Sequence, residues 1–154
     1  MKRLWIVCLW TVILLVCTPL YAQENKRPII VLDPGHGGVD SGAIGVNGVK
    51  EKDIVLEVAM EAIRLNRELF GNRLDIYLTR YRDTLISLSD RTRLVKVLKP
   101  DVFISIHCNQ AERKSAQGVE VYVQLPSSNT NSFLRSKSET LADAILFEFD
   151  QELG

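Results

Sequence analysis

Two short stretches constrain this chain more than any other feature. Ile29-Ile30-Val31-Leu32 is apolar without a break and stops at once on Asp33-Pro34-Gly35, and Asp101 to Ile106 is almost wholly apolar. A strand with one wet face alternates polar and apolar residues, whereas an unbroken apolar run suits a strand covered on both faces, as in a parallel sheet between helices. Helical patterning lies between the runs. Val55, Val58, Ala59, Ala62, Leu65 and Leu69 recur every three or four positions, with Asp53 as N-cap and Gly71-Asn72 as the stop. A strand is expected at Leu74 to Thr79. Ser87 and Asp90 form a capping pattern ahead of Leu88, Thr92, Val95 and Leu98, a helix that Pro100 ends.

Further on, Val119, Val121 and Val123 alternate with Glu120, Tyr122 and Gln124, a fourth strand with one wetter face. A polar stretch from Pro126 to Ser138 precedes a last helix through Leu141, Ile145 and Phe149. The predicted order, β-loop-α-β-α-β-β-α, is that of an α/β, three-layer sandwich with a mostly parallel central sheet flanked by helices. Its last strand or strands and helix are missing from that pattern at Gly154.

The N-terminus reads as separate from this fold. Lys2 and Arg3 precede an apolar run from Leu4 to Cys17, Thr18-Pro19 break it, and Ala22 offers a small residue for cleavage. Residues 1–22 are therefore read as a signal peptide, with a single membrane anchor as the alternative. Removing 22 of 154 residues leaves 132, one domain at 23–154, carrying 17 basic against 19 acidic residues. No basic stripe is present, so nucleic acid is not an expected partner. Cys8 and Cys17 leave with the leader, and Cys108, alone in an exported chain, is read as a small buried residue rather than a ligand or a disulfide partner.

Chemistry concentrates in the loop after the first run. Glycines at 35, 37, 38, 42, 45 and 48 surround His36, one of two histidines in the chain. A phosphate cradle is disfavoured, because no helix opens on the glycines and no lysine followed by Ser or Thr is present. A metal site fits better. His36 follows the first strand and His107 the third, and in a parallel sheet those ends share the edge where α/β sites are built. Glu51 lies in the loop leaving His36, and two imidazoles with one carboxylate are the protein ligands of a catalytic zinc. Taken singly, a histidine at a strand end is more often a hydrogen-bonded structural residue than a ligand, and Glu51 reads as a solvated surface charge; the set gains weight because the two histidines of the chain both occupy strand ends on one edge.

The segments "IVLDPGHGGVDSGAIG", "NGVKEKDIVLEVA", "YLTRYRDTLISLSDRTR", "PDVFISIHCN" and "GVEVYV", in this order, resemble the zinc-dependent N-acetylmuramoyl-L-alanine amidases of peptidoglycan. The resemblance covers roughly Ile29 to Val123. It implies Zn2+ held by His36, Glu51 and His107, and hydrolysis of the amide between the lactyl group of N-acetylmuramic acid and L-alanine. It also implies a general-base glutamate in a late strand, expected beyond Gly154. Glu112 and Glu120 sit in no matching motif, so no catalytic residue is named. Arg80 and Arg91 match recurring family positions and read as surface or packing salt bridges. Export to the periplasm, peptidoglycan as the partner and no stable membrane anchor after leader cleavage follow from the same reading; an activator protein is not identified. Two readings stand beside the amidase: a non-catalytic zinc or wall-binding remnant, and another zinc hydrolase such as a peptidase.

Overall fold

The computed structural model describes residues 26–111, 113, 115–124 and 132–153, so the signal-peptide reading of residues 1–22 and Glu112 lie outside the described residues. The chain divides into two compact units, one through Gln110 and one from Ala111. The first holds β1 (Ile29–Pro34), α1 (Glu51–Glu68), β2 (Asp75–Leu78), α2 (Leu88–Leu98) and β3 (Val102–Ile106). The sheet order is β2-β1-β3, and both pairings are parallel. Parallel neighbours cannot be joined by a tight turn, and the two helices make the crossovers.

β1 is central, and its continuous apolar run is explained by double coverage. Val31 and Leu32 point to opposite faces, yet they are 0% and 6% exposed. On the Leu32 face, Leu32 and Leu78 pack with Ala59 of α1, flanked by Ile30, Ile76 and Ile104. Full burial of a leucine is worth about 1.5–3 kcal/mol. The Val31 face turns polar at its end, where Asp33 stands opposite Ser105 and meets Arg91 of α2. The expected α/β layering is therefore present in this unit, as helix, parallel sheet and helix.

Some boundaries differ from expectation for physical reasons. α1 begins at Glu51, not after Asp53, and its cap residue Lys50 makes no side-chain capping bond. The first amides are met instead by the preceding loop: Glu51 N–H donates to Ala43 O at 2.9 Å and Lys52 N–H to Ser41 O at 3.2 Å. The stop follows the expected pattern, as Asn72 N–H donates back to Asn66 O at 2.9 Å. In α2, Ser87 is the N-cap and accepts from Asp90 N–H at 3.1 Å, as its sequence predicts. Its inward face is centred on buried Arg91 rather than on Leu88, which is exposed.

The second unit departs further. α3 (Ser132–Leu153) reaches back through most of the stretch read as polar. Residues 118–124, expected as a strand, are not in one. Alternation decides which side chains share a face, but a strand also needs a neighbour to complete its ladder. Within α3 Ala142 is buried, while Phe147 and Phe149 are exposed. Among the described residues no helix is long and apolar enough to cross a membrane.

Candidate metal centre

The parallel order places the ends of β1 and β3 side by side. His36 follows β1 by two residues and His107 follows β3 by one, on the same edge of the sheet. Glu51 is brought to them by the glycine loop, which folds back on itself: Ile44 pairs with Lys50, and Gly45 N–H donates to Val49 O at 2.8 Å. His36 itself has φ 59°, a left-handed conformation uncommon for a residue with a Cβ. Two glycines leave the space the side chains occupy. A Cβ on Gly35 would stand 2.3 Å from His107 Cε1, and one on Gly42 would stand 2.6 Å from both Glu51 Oε2 and His36 Cδ2.

His36, Glu51 and His107 present one ligand atom each within 4.8 Å of one another. His36 Nε2 is 3.2 Å and His107 Nδ1 3.0 Å from Glu51 Oε1, and the imidazole rings meet edge to face with centroids 4.9 Å apart. Two ligands bound to one zinc at about 2.1 Å in a tetrahedron are about 3.4 Å apart, so these separations suit a shared cation. A second observation points the same way. Asp40 Oδ2 is 2.9 Å from His36 Nδ1, and a carboxylate on the far nitrogen of an imidazole is the usual support of a metal-binding histidine. It leaves Nε2 free to face Glu51. The cluster opens to solvent on one side, because the His107 side chain is 47% exposed while that of Glu51 is 5%.

Electrostatics keep the acidic members ionised. Burial works against the charge of Glu51, but N–H bonds from Ala43 at 2.9 Å and Cys108 at 2.8 Å, and then the His107 contact, hold its carboxyl below the ordinary value. Asp40 is lowered by its bond to His36 and then by Gly42 N–H. The thiol of Cys108 is raised by burial and by the Glu51 charge. Yet the residue as a whole is exposed, which corrects its reading as a small buried residue: β3 ends at Ile106, so strand alternation does not carry as far as position 108. Its backbone, rather than its sulfur, serves the site.

Behind the cluster lies a layer of buried charge. Arg91 pairs with Asp33 and donates to Pro34 O at 3.0 Å and His36 O at 2.9 Å. Asp33 also accepts from Thr79 Oγ1 at 2.5 Å and Ser105 Oγ at 3.0 Å. Arg80 donates to the carbonyls of Pro34, Gly35 and Lys52 at 3.1, 2.8 and 2.7 Å. Lys52 Nζ donates to Gly38 O at 2.8 Å and to Asp83 Oδ2 at 2.6 Å, and Gly38 N–H closes the ring on Asp83 Oδ1 at 2.6 Å.

The three residues read as ligands from the sequence thus come together. Arg91 is a packing salt bridge, as one of its readings had it, whereas all hydrogen bonds of Arg80 among the described residues go to backbone carbonyls. Asp40, Asp33 and Lys52 escaped the sequence reading. Asp40 had a usable signal, a carboxylate four residues from a candidate ligand in the same loop; Lys52 sat in a charge run that looks solvated.

Comparison with known proteins adds a family. The model of the family described as N-acetylmuramoyl-L-alanine amidase matches residues 30–154. The amidase AmiC of Neisseria meningitidis is 36% identical over 129 residues, covering 82% of this chain and 30% of the relative. AmiA of Escherichia coli is 39% identical over 104 residues, covering 68% of this chain and 35% of the relative. The chain therefore spans about a third of the length of these relatives. Among solved structures, the catalytic domain of CwlV, an N-acetylmuramoyl-L-alanine amidase from Bacillus (Paenibacillus) polymyxa var. colistinus, superposes with a TM-score of 0.52 at 33% identity, over 59% of this chain and 50% of that one.

Proposed function

The chain belongs to the N-acetylmuramoyl-L-alanine amidase family, and from that premise we propose that its His36, Glu51 and His107 hold zinc and serve hydrolysis of the amide joining N-acetylmuramic acid to L-alanine in peptidoglycan. The observation that carries this reading is the convergence of those three donors on one point at the C-terminal edge of the sheet. Bound there, zinc supplies a Lewis acid for the amide carbonyl and a water nucleophile available near neutral pH.

The chain's own residues account for the rest of what the site needs. Asp40 holds His36 Nδ1, which fixes the ring and directs Nε2 inward. The N–H groups of Ala43 and Cys108 keep the Glu51 carboxylate ionised and oriented, one on each oxygen. The exposed side at His107 is the approach for a bulky, polar substrate. Proton delivery to the leaving nitrogen is left to the late glutamate of the family pattern, and none of the described glutamates is assigned to it. Export to the periplasm, with residues 1–22 as a cleaved leader, accords with a substrate that lies outside the cytoplasmic membrane.

The test is incubation of the chain, carried on through the late glutamate of the family pattern, with purified peptidoglycan and Zn2+, with and without chelator, followed by chromatography of released stem peptides and metal analysis of the protein. Chelator-sensitive release supports the amidase. Retention on the wall with bound zinc but no cleavage supports a binding remnant, cleavage of free peptides in preference to muramyl peptides a peptidase, and absence of bound zinc removes all three.

A further inference from the structure

Arg80 is 3% exposed, and removing a charge from water is costly unless its partners are well placed. A surface position would avoid that cost, so the chosen partners matter. Nη2 donates to Gly35 O at 2.8 Å and to Lys52 O at 2.7 Å, Nε to Pro34 O at 3.1 Å and Nη1 to Arg82 O at 3.4 Å. Gly35 immediately precedes His36, and Lys52 immediately follows Glu51. One nitrogen therefore grips the backbone beside both ligands that the glycine loop must bring together from 15 positions apart.

The need for such a grip follows from the loop. His36 is held at φ 59°, where a residue with a Cβ does not stay unless its surroundings require it. Glycines on either side provide no stiffness of their own. A planar guanidinium with donors at fixed angles can set the spacing of several carbonyls at once, and a lysine ammonium, a point donor on a flexible stem, cannot.

We propose that Arg80 is a positioning residue of the metal site, whose single buried side chain fixes the separation of His36 and Glu51 by binding the carbonyls next to each. The inference rests on the zinc reading and goes beyond it by assigning the preorganisation of the site to a residue that touches no ligand atom. Its role is expressed in metal affinity.

The experiment compares the full chain with Arg80→Lys, Arg80→Gln and Asn66→Ala. Asn66 is a buried residue at the far end of α1 that holds Leu74, so its loss lowers stability without touching the site. Zn2+ affinity by competition and the Co2+ absorption spectrum are read on protein shown to be folded by circular dichroism. Both Arg80 variants are expected to bind about 10–100-fold more weakly, the usual cost of losing support behind a ligand, with an altered Co2+ spectrum. Asn66→Ala should melt earlier and keep the unmodified chain's affinity and spectrum. Unchanged metal binding in Arg80→Lys overturns the inference and leaves the zinc reading intact. Failure of the unmodified chain to bind metal overturns both. If neither Arg80 variant folds while Asn66→Ala does, Arg80 is a folding determinant and the proposal falls.

Discussion

At the C-terminal end of the sheet, Asp33, Glu51, Lys52, Arg80 and Arg91 are all between 3% and 8% exposed. At the opposite end the charged pair is Arg27 with Asp75, 51% and 30% exposed at the side chain, and the buried polar residue is the neutral Asn66. Both ends belong to the same three strands and serve the same core. The contrast shows where the fold, among the described residues, accepts the desolvation of charge: where loops must be held against their own flexibility, and where each buried donor has an acceptor within reach. The far end needs no such bracing, because Asn72 and Leu74 are already held through Asn66.

The largest expected effect tests that contrast directly. Arg91→Met leaves the Asp33 carboxylate buried with only hydroxyl partners and should cost about 3–5 kcal/mol in urea denaturation. Arg27→Ala at the other end should cost about 0–1 kcal/mol. Similar small losses at both ends would dissolve the distinction.

A smaller effect is expected from the glycines. Gly35→Ala places a Cβ against the His107 ring, and overpacking of this kind costs about 1–3 kcal/mol; zinc affinity should fall with it. Gly71→Ala, where nothing lies within 4 Å of the added atom and only φ +59° is unfavourable, should cost about 1 kcal/mol and leave zinc binding alone. If Gly35→Ala spared metal affinity, the tight floor of the site would have no role in placing His107.

The smallest concerns pH. The Lys52 bond, and then Gly38 N–H, hold the Asp83 carboxyl below the ordinary aspartate value. A carboxyl with a depressed folded-state pKa contributes stability that is fully present above the ordinary value and is lost as pH falls through the depressed one. Asp83→Asn should therefore lower stability at neutral pH and flatten its decline on acidification. A decline of unchanged steepness would mean that Asp83 is not part of the brace.

Much of the first unit was legible because its signals are local. The apolar runs marked β1 and β3, and the Ser87–Asp90 pattern marked the start of α2, since each depends on residues a few positions apart. The meeting of His36 and His107 was legible for a different reason: in a parallel sheet, chain direction alone decides that the residues after β1 and β3 share an edge. The start of α1 was not, because its amides are capped by Ala43 and Ser41 carbonyls that only the folded loop brings near. The exposure of Cys108 and the absence of a strand at residues 118–124 were missed for a related reason, as alternation describes side-chain direction and not whether a strand continues or finds a neighbour.

The sequence by itself determined that this chain makes a parallel α/β sheet with two histidines at one edge, because periodicity and chain direction are properties of the order of residues. Only the tertiary structure decided that Arg80 and Arg91 turn inward onto the carbonyls of residues 34 to 36, that Asp40 stands behind His36, and that Glu51 completes the cluster from the first turn of a helix. Those outcomes depend on the cost of burying charge. That cost is met only when partners from distant segments arrive together, and no window along the sequence contains them.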